Sequence, residues 1–163
     1  MTAPGTVRRM LLALNVLAIV AVLCFIFGNS LLDGKESSEV SSGVMEVVEP
    51  VARPVVEAIS PEPVSDDMLH GIIRKLAHFT EFAALAVLSV LLLLQLRGTL
   101  ITPYFTTVLF GTLLAAVTDE FIQSFTGRTS SVRDVLIDFS GALCGMLLTA
   151  AVLALVRAIR TPK

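Results

Sequence analysis

Four stretches of this chain are long and apolar enough to cross a membrane, and that constrains its fold more than anything else it contains. A spanning helix needs about 20 mostly apolar residues. Segments 10–28 (MLLALNVLAIVAVLCFIFG), 76–96 (LAHFTEFAALAVLSVLLLLQL), 103–122 (PYFTTVLFGTLLAAVTDEFI) and 135–156 (VLIDFSGALCGMLLTAAVLALV) approach that length. The rest of the composition agrees: 55% hydrophobic, 16% charged, mean hydropathy +0.84. An ordinary soluble domain is nearer 45–50% apolar and about 25% charged. The expected class is all-α: one integral membrane domain over residues 1–163, built as a four-helix transmembrane bundle. A net charge of −2 offers no basic surface for nucleic acid. Cys24 and Cys144 both lie inside apolar runs and read as packing residues rather than a disulfide or metal ligands.

The first segment has a basic start, Arg8 and Arg9, as a cleaved signal peptide would. Its apolar run exceeds the usual ~7–15 residues, and FGNS lacks a small-x-small cleavage site. Leu23 is also too large to precede a lipoprotein cysteine at Cys24. An uncleaved span is the better reading. Pro103 after Thr102 suits a helix start, since the missing proline N–H is not needed in the first turn.

Basic residues set the orientation. With the N-terminus inside, the inner ends carry Arg8, Arg9, Arg97, Arg157, Arg160 and Lys163. All 14 acidic residues then fall outside or in the outer halves of the spans. Both termini are expected in the cytoplasm, with residues 29–74 as a long outer loop. Within that loop Val44, Val47, Val48 and Val51 recur at helical spacing, with Glu46 and Glu49 between them. The pattern suits a short helix lying on the membrane surface. Pro50, Pro54, Pro61 and Pro63 are expected to interrupt it, and a partly disordered linker is the competing reading.

The polar residues of the spans share a depth. At 1.5 Å per residue, Asp119 and Glu120 lie ~24–26 Å from the inner end of their helix at Pro103. Counted from Arg97, Glu81 lies at ~24 Å and His78 at ~28 Å; counted from Arg157, Asp138 lies at ~28 Å and Asp134 at ~34 Å. The hydrocarbon core is about 30 Å thick, so three helices place these groups in one outer layer. They share faces too: Lys75, His78 and Phe82 on one stripe, Asp119 and Gln123 on another, Asp134, Asp138, Gly141 and Gly145 on a third. Gly141 and Gly145 form a small-xxx-small pair that lets another helix come close. Gly127 offers a turn, and Ser131 three residues before Asp134 resembles a capping box. Asp134 therefore has a plain reading as a helix-start residue, and the whole set one as a solvated belt at the interface.

RKLAHFTEFAALA (74–86) and DEFIQSFTGRTSSVRDVLIDFSGALCG (119–145) together resemble the VanZ-like membrane proteins of bacteria. The matching positions are Lys75, His78, Phe79, Asp119, Glu120, Gln123, Gly127, Arg128, Arg133, Asp134, Val135 and Gly141. The Ser-rich stretch after the first span is similar as well, so the likeness covers roughly 20–147. Two positions depart from it: Asp138, where many members have Asn, and Thr126, where Pro is common. The resemblance implies a multi-pass protein of the bacterial cytoplasmic membrane and an association with low-level resistance to a glycopeptide antibiotic. It implies no particular reaction.

Two classes of function lead, with transport, which four spans without a broken-helix repeat would support only in an oligomer, behind them. In the first, a polar pocket at the outer leaflet binds or processes a lipid-linked envelope precursor or amphiphilic antibiotic. Lys75, Arg128 and Arg133 would hold a phosphate or pyrophosphate, because a guanidinium pairs two-pronged with such oxygens. Glu81, Gln123 and Asp138 would complete the binding wall. His78 with Glu120, Asp119 or Asp134 would move a proton, if the protein is an enzyme of transfer or hydrolysis. In the second, the chain is a scaffold or interaction protein fixed by ion pairs such as Asp134–Arg128 or Glu81–Lys75. A cofactor is not expected. His78 with Asp119, Glu120 and Asp138 could surround a divalent ion, but one histidine without a second ligand at metal spacing is no metal motif, so no metal is expected either.

Overall fold

The computed structural model describes residues 4–32, 34–61, 63–98, 102–128 and 130–160. Among them the chain forms five helices and no strand: α1 (Pro4–Leu31), α2 (Gly34–Ile59), α3 (Asp66–Arg97), α4 (Thr102–Gln123) and α5 (Val132–Arg160). Four of these, α1, α3, α4 and α5, are long and apolar enough to cross a membrane. The expected spans are all present, and every spanning helix is longer than its apolar run, α1 and α3 most of all. α1 continues through Asn29 and Ser30 to Leu31, and α3 begins at Asp66 rather than near Leu76.

The caps explain the limits of α3. Ser65 accepts a hydrogen bond from the Met68 N–H at 3.3 Å, satisfying one of the unpaired donors of the first turn. Asp66 and Asp67 follow at the positive end of the helix dipole, and Arg97 sits at the negative end. Gly98 closes the helix with φ +72°, a left-handed conformation that glycine adopts without steric cost, and its N–H bonds Leu94 O.

The closest packing in the bundle is between α3 and α5. A methyl group on Gly141 would land on the backbone carbonyl of Phe79, and one on Gly145 on that of Ala83. The two backbones touch only because both positions lack a side chain, as expected of a small-xxx-small pair. Around this seam the core is Ile26 from α1, Phe82, Leu85, Ala86 and Val90 from α3, Val108 and Ala116 from α4, and Ala142 and Met146 from α5. Leu17, Phe25, Phe110, Leu114, Leu148 and Leu155 remain exposed on the outside. In water such a surface would be a liability; lipid tails cover it at no cost. Cys24 and Cys144 are on that exterior, free and exposed, and not packed in the core as expected.

The outer-loop expectation needs correction. α2 is not short and does not stop at Pro50 or Pro54, both of which lie inside it. Tertiary contacts outweigh the prolines. Met45 and Val56 are buried against Leu69 of α3, with Ala52, Val64, Ile72 and Ile73 around them. Arg53 then ties α2 to the start of α3, donating to Glu49, Asp66 and the carbonyl of Val64. The opposite stripe, Val47, Val51, Val55 and Ile59, is exposed. The helix therefore shows apolar residues on two faces.

Candidate functional site

The polar layer sits at the end of the bundle that carries the α4–α5 connection. Asp119, Glu120, Gln123 and Asp138 are buried, with Asp119 0% and Asp138 1% exposed. A buried carboxylate must be partnered, protonated or bound to a cation, because removing a charge from water otherwise costs far more than packing returns. The four groups meet that requirement differently.

Asp119 is the best supplied. The Ser30 hydroxyl donates to its Oδ1, and the Gln123 side-chain amide donates to Oδ2 at 2.7 Å and to Ser30 Oγ at 3.3 Å. Ser30 reaches this site because α1 runs a full turn past its apolar segment. Glu120 has a different task. Its Oε2 accepts the backbone N–H of Ser131 at 2.8 Å, while Ser131 Oγ accepts from Arg133 N at 3.1 Å. In a capping box, the residue three positions into the helix returns a carboxylate to the cap's own N–H. Here that residue is Asp134, yet the carboxylate comes from Glu120 on α4. Glu120 thereby pins the start of α5, and Asp134 turns to a recess.

Asp138 has no such support. Neither of its carboxylate oxygens has a hydrogen-bond partner, nor has His78 Nδ1 or Glu81 Oε2. His78 Nδ1 lies 3.8 Å from Asp119 Oδ2 and 3.8 Å from Asp138 Oδ1. These distances are too long for a hydrogen bond, which needs about 2.7–3.2 Å. Among the described residues, the ion pairs of the buried acids involve His78 alone.

Above this floor opens a recess of about 230 Å³, lined by Lys75 and His78 of α3, Glu120 and Gln123 of α4, and Asp134 and Asp138 of α5. Arg74, Gly127, Arg128 and Ile137 complete the wall. Arg128 donates to the carbonyl of Asn29 at 3.2 Å, and Thr126 Oγ1 to that of Ser30 at 3.2 Å. Both carbonyls end α1, where backbone acceptors lack helical partners and the dipole favours a cation. Burial, with Arg74 nearby, pulls the Arg128 guanidinium below its usual value; Asp119, Glu120 and Asp134 oppose this. One nitrogen caps α1, and a guanidinium carries five N–H donors, so most remain for the recess.

His78, Asp119, Asp138 and Gln123 thus converge, with Glu120, Asp134, Lys75 and Arg128 around them. Glu81 is half-buried on α3, outside the lining of the recess. Arg133 is exposed and also outside it. The pairs Asp134–Arg128 and Glu81–Lys75 do not form among the described residues: Arg128 bonds a carbonyl instead, and no nitrogen of Lys75 comes within 4.0 Å of a described acid. Sequence reasoning missed Ser30, Asn29 and Arg74. The depth measure would have found the first two. From Arg8, Ser30 lies ~33 Å along α1, level with Asp134.

Below the recess, a groove of about 280 Å³ runs between α1, α3 and α4, lined by Ile19, Leu23, Leu85, Leu92, Val108 and Thr112 among others. Leu85 stands two turns from His78 on one stripe of α3, and Thr112 two turns from Asp119 on one stripe of α4.

No curated protein and no solved structure matches the chain. A family profile does, over residues 15–155, which takes in α2, α3, α4, the recess, the second half of α1 and most of α5. The chain belongs to the VanZ/LLP1 family.

Proposed function

We propose that this protein binds the anionic headgroup of a membrane amphiphile, of the lipid-linked envelope-precursor kind, in the recess at the outer leaflet of a bacterial cytoplasmic membrane. The observation that carries the reading is a polar recess with Arg74, Lys75 and Arg128 on its wall, with an apolar groove farther along α3 and α4. A phosphate or pyrophosphate takes the cations, and the acyl or isoprenoid chain lies along the groove below. Guanidinium and ammonium groups hold phosphate oxygens by short charge-assisted bonds. The setting at the membrane edge limits the cost of charging the site. On this reading α2, packed against the start of α3, lies at the interface, where its exposed valine stripe would meet lipid. The termini face the cytoplasm, in keeping with the basic residues at that end.

The test is capture of co-purifying lipid. Full-length protein is extracted in mild detergent and its bound lipids identified, in parallel with an Arg74→Gln/Lys75→Gln double variant and with Arg128→Ala. The reading expects an anionic phospholipid or polyprenyl phosphate enriched on the native protein and depleted on both variants. Equal lipid on all three, at unchanged protein levels, would exclude it.

A structural reading has its own observation. Glu120 and Arg128 cap the ends of neighbouring helices, which is a scaffold's use of charge. On that reading, substitutions lower membrane abundance in proportion to the caps they remove, and the Arg74/Lys75 variant behaves as the native protein.

A further inference from the structure

We propose that His78, Asp119 and Asp138 form a binding site for one divalent cation of the zinc or manganese kind, at the floor of the recess. One donor from each of three helices meets there, from His78 of α3, Asp119 of α4 and Asp138 of α5, with a ligand atom of each within 4.8 Å of the others. The proposal stands whether or not the recess takes a lipid headgroup.

Three observations converge on it. The first is spacing. His78 Nδ1 is 3.8 Å from each carboxylate oxygen. Tetrahedral ligands around zinc, at bond lengths of roughly 2.0–2.2 Å, lie ~3.3–3.6 Å from one another. The donors stand too far apart to bond each other, and His78 Nδ1 is within a few tenths of an ångström of the separation from each carboxylate to which a shared ion would draw it.

The second is what the donors lack. Asp138 is 1% exposed, and both of its carboxylate oxygens are without a partner, as is His78 Nδ1. Buried polar atoms are nearly always satisfied, and an orphan asks for an unseen ligand. Two of these orphans, His78 Nδ1 and Asp138 Oδ1, lie 3.8 Å apart. Two fully buried carboxylates face one imidazole there, and a divalent cation neutralises the excess charge.

The third is the support behind Asp119. Ser30 holds Oδ1 and Gln123 holds Oδ2, so the carboxylate is fixed before any ion arrives. Such outer partners orient a metal ligand and set its basicity. One imidazole with two carboxylates suits zinc or manganese better than calcium or magnesium, which prefer oxygen alone. Three protein ligands leave coordination positions open, as in metal sites that take water or a ligand. His78 and Asp138 also line the recess, so the open side faces it. Along the chain the ligands have no metal spacing; the bundle brings them together.

The experiment uses full-length protein in detergent, stripped with chelator and titrated with Zn²⁺ or Mn²⁺ alone. Bound metal is read by mass spectrometry and affinity by calorimetry. One ion per chain is expected. Asp138→Asn, which keeps the shape, and His78→Gln should each weaken binding by at least ~100-fold; Ser30→Ala should weaken it by ~10–100-fold through Asp119. His70→Gln, at the only other histidine, should bind as the native protein does. Gel filtration and helical circular dichroism check that each variant folds. Should Asp138→Asn not fold, the Co²⁺ form of the native protein decides by its X-ray absorption, with one imidazole nitrogen among oxygen ligands expected. Metal content far below one ion per chain, affinity unchanged by Asp138→Asn or His78→Gln in folded protein, or a cobalt spectrum without imidazole would overturn the proposal.

Discussion

Glu120 is a buried charge spent on holding the chain together. It lies beside Asp119, yet its carboxylate is committed to the Ser131 N–H, a buried acceptor serving a helix start on another element. Removing it leaves that backbone donor unpaired, at about 1–3 kcal/mol. Glu120→Ala should therefore lower the melting temperature of the detergent-solubilised protein, while Glu120→Gln, whose amide oxygen still accepts, should recover most of it. An equal loss in both would mean that the charge and not the hydrogen bond is what matters. Gly127 gives a second residue-scale prediction. Its φ of +70° is a left-handed conformation with open space around the Cα, so only backbone strain opposes a side chain there. Gly127→Ala should cost about 1–2 kcal/mol, with Gly127→Asn milder, because Asn tolerates that conformation. The measurement is the same thermal melt. The capping-box reading of Ser131 was correct about the cap and wrong about its partner. Sequence spacing offers Asp134, and no pattern along one chain shows that Glu120 arrives first from another helix.

For whole elements, the contact of α3 with α5 sets how closely the site can close. Gly141 and Gly145 lie on the stripe that continues into Asp138, so whatever separates the two helices at the glycines also moves the carboxylate away from His78. A methyl group at either position meets backbone, which cannot swing aside as a side chain end can. Gly141→Ala and Gly145→Ala should each destabilise by about 1–3 kcal/mol. Gly111→Ala, on α4 with nothing within 4 Å of the added methyl, should be neutral or stabilising by up to about 1 kcal/mol. Comparable losses at all three would show that the α3–α5 approach is not special. The spans and the glycine seam were legible because lipid demands long apolar runs and close packing demands small residues, and both leave a mark along the chain. α2 was not. Its prolines argue locally against a helix, while the contact of Met45 and Val56 with Leu69 that sustains it joins residues no local pattern connects.

Across the whole molecule, depth was the readable coordinate and rotation was not. Charged residues are costly in a span, so their height stands out against an apolar background. The angle at which each helix faces its neighbours depends on packing, and it decides that His78 meets Asp119 and Asp138 while Arg133 stays outside. The same height argument extends to the side of the membrane on which the recess opens. If basic residues fix the inner end, the α4–α5 connection and the recess face outward, and the end carrying Arg97 faces the cytoplasm. Cysteine labelling tests this directly. Cys24 and Cys144 are exposed on the bundle exterior and must first be replaced by serine or alanine. In that background, Ser130→Cys should react with a membrane-impermeant thiol reagent on intact cells, and Arg97→Cys only after permeabilisation. Both positions are exposed in the fold, so neither result can be attributed to burial by protein. Reversed labelling would invert the protein and put the recess in the cytoplasmic leaflet, where a headgroup ligand would have to be sought among inner-face lipids. Labelling of both from one side would mean that α4 does not cross, since α4 alone separates them. Only the pattern of one from outside and the other from within agrees with a recess offered to the outer leaflet.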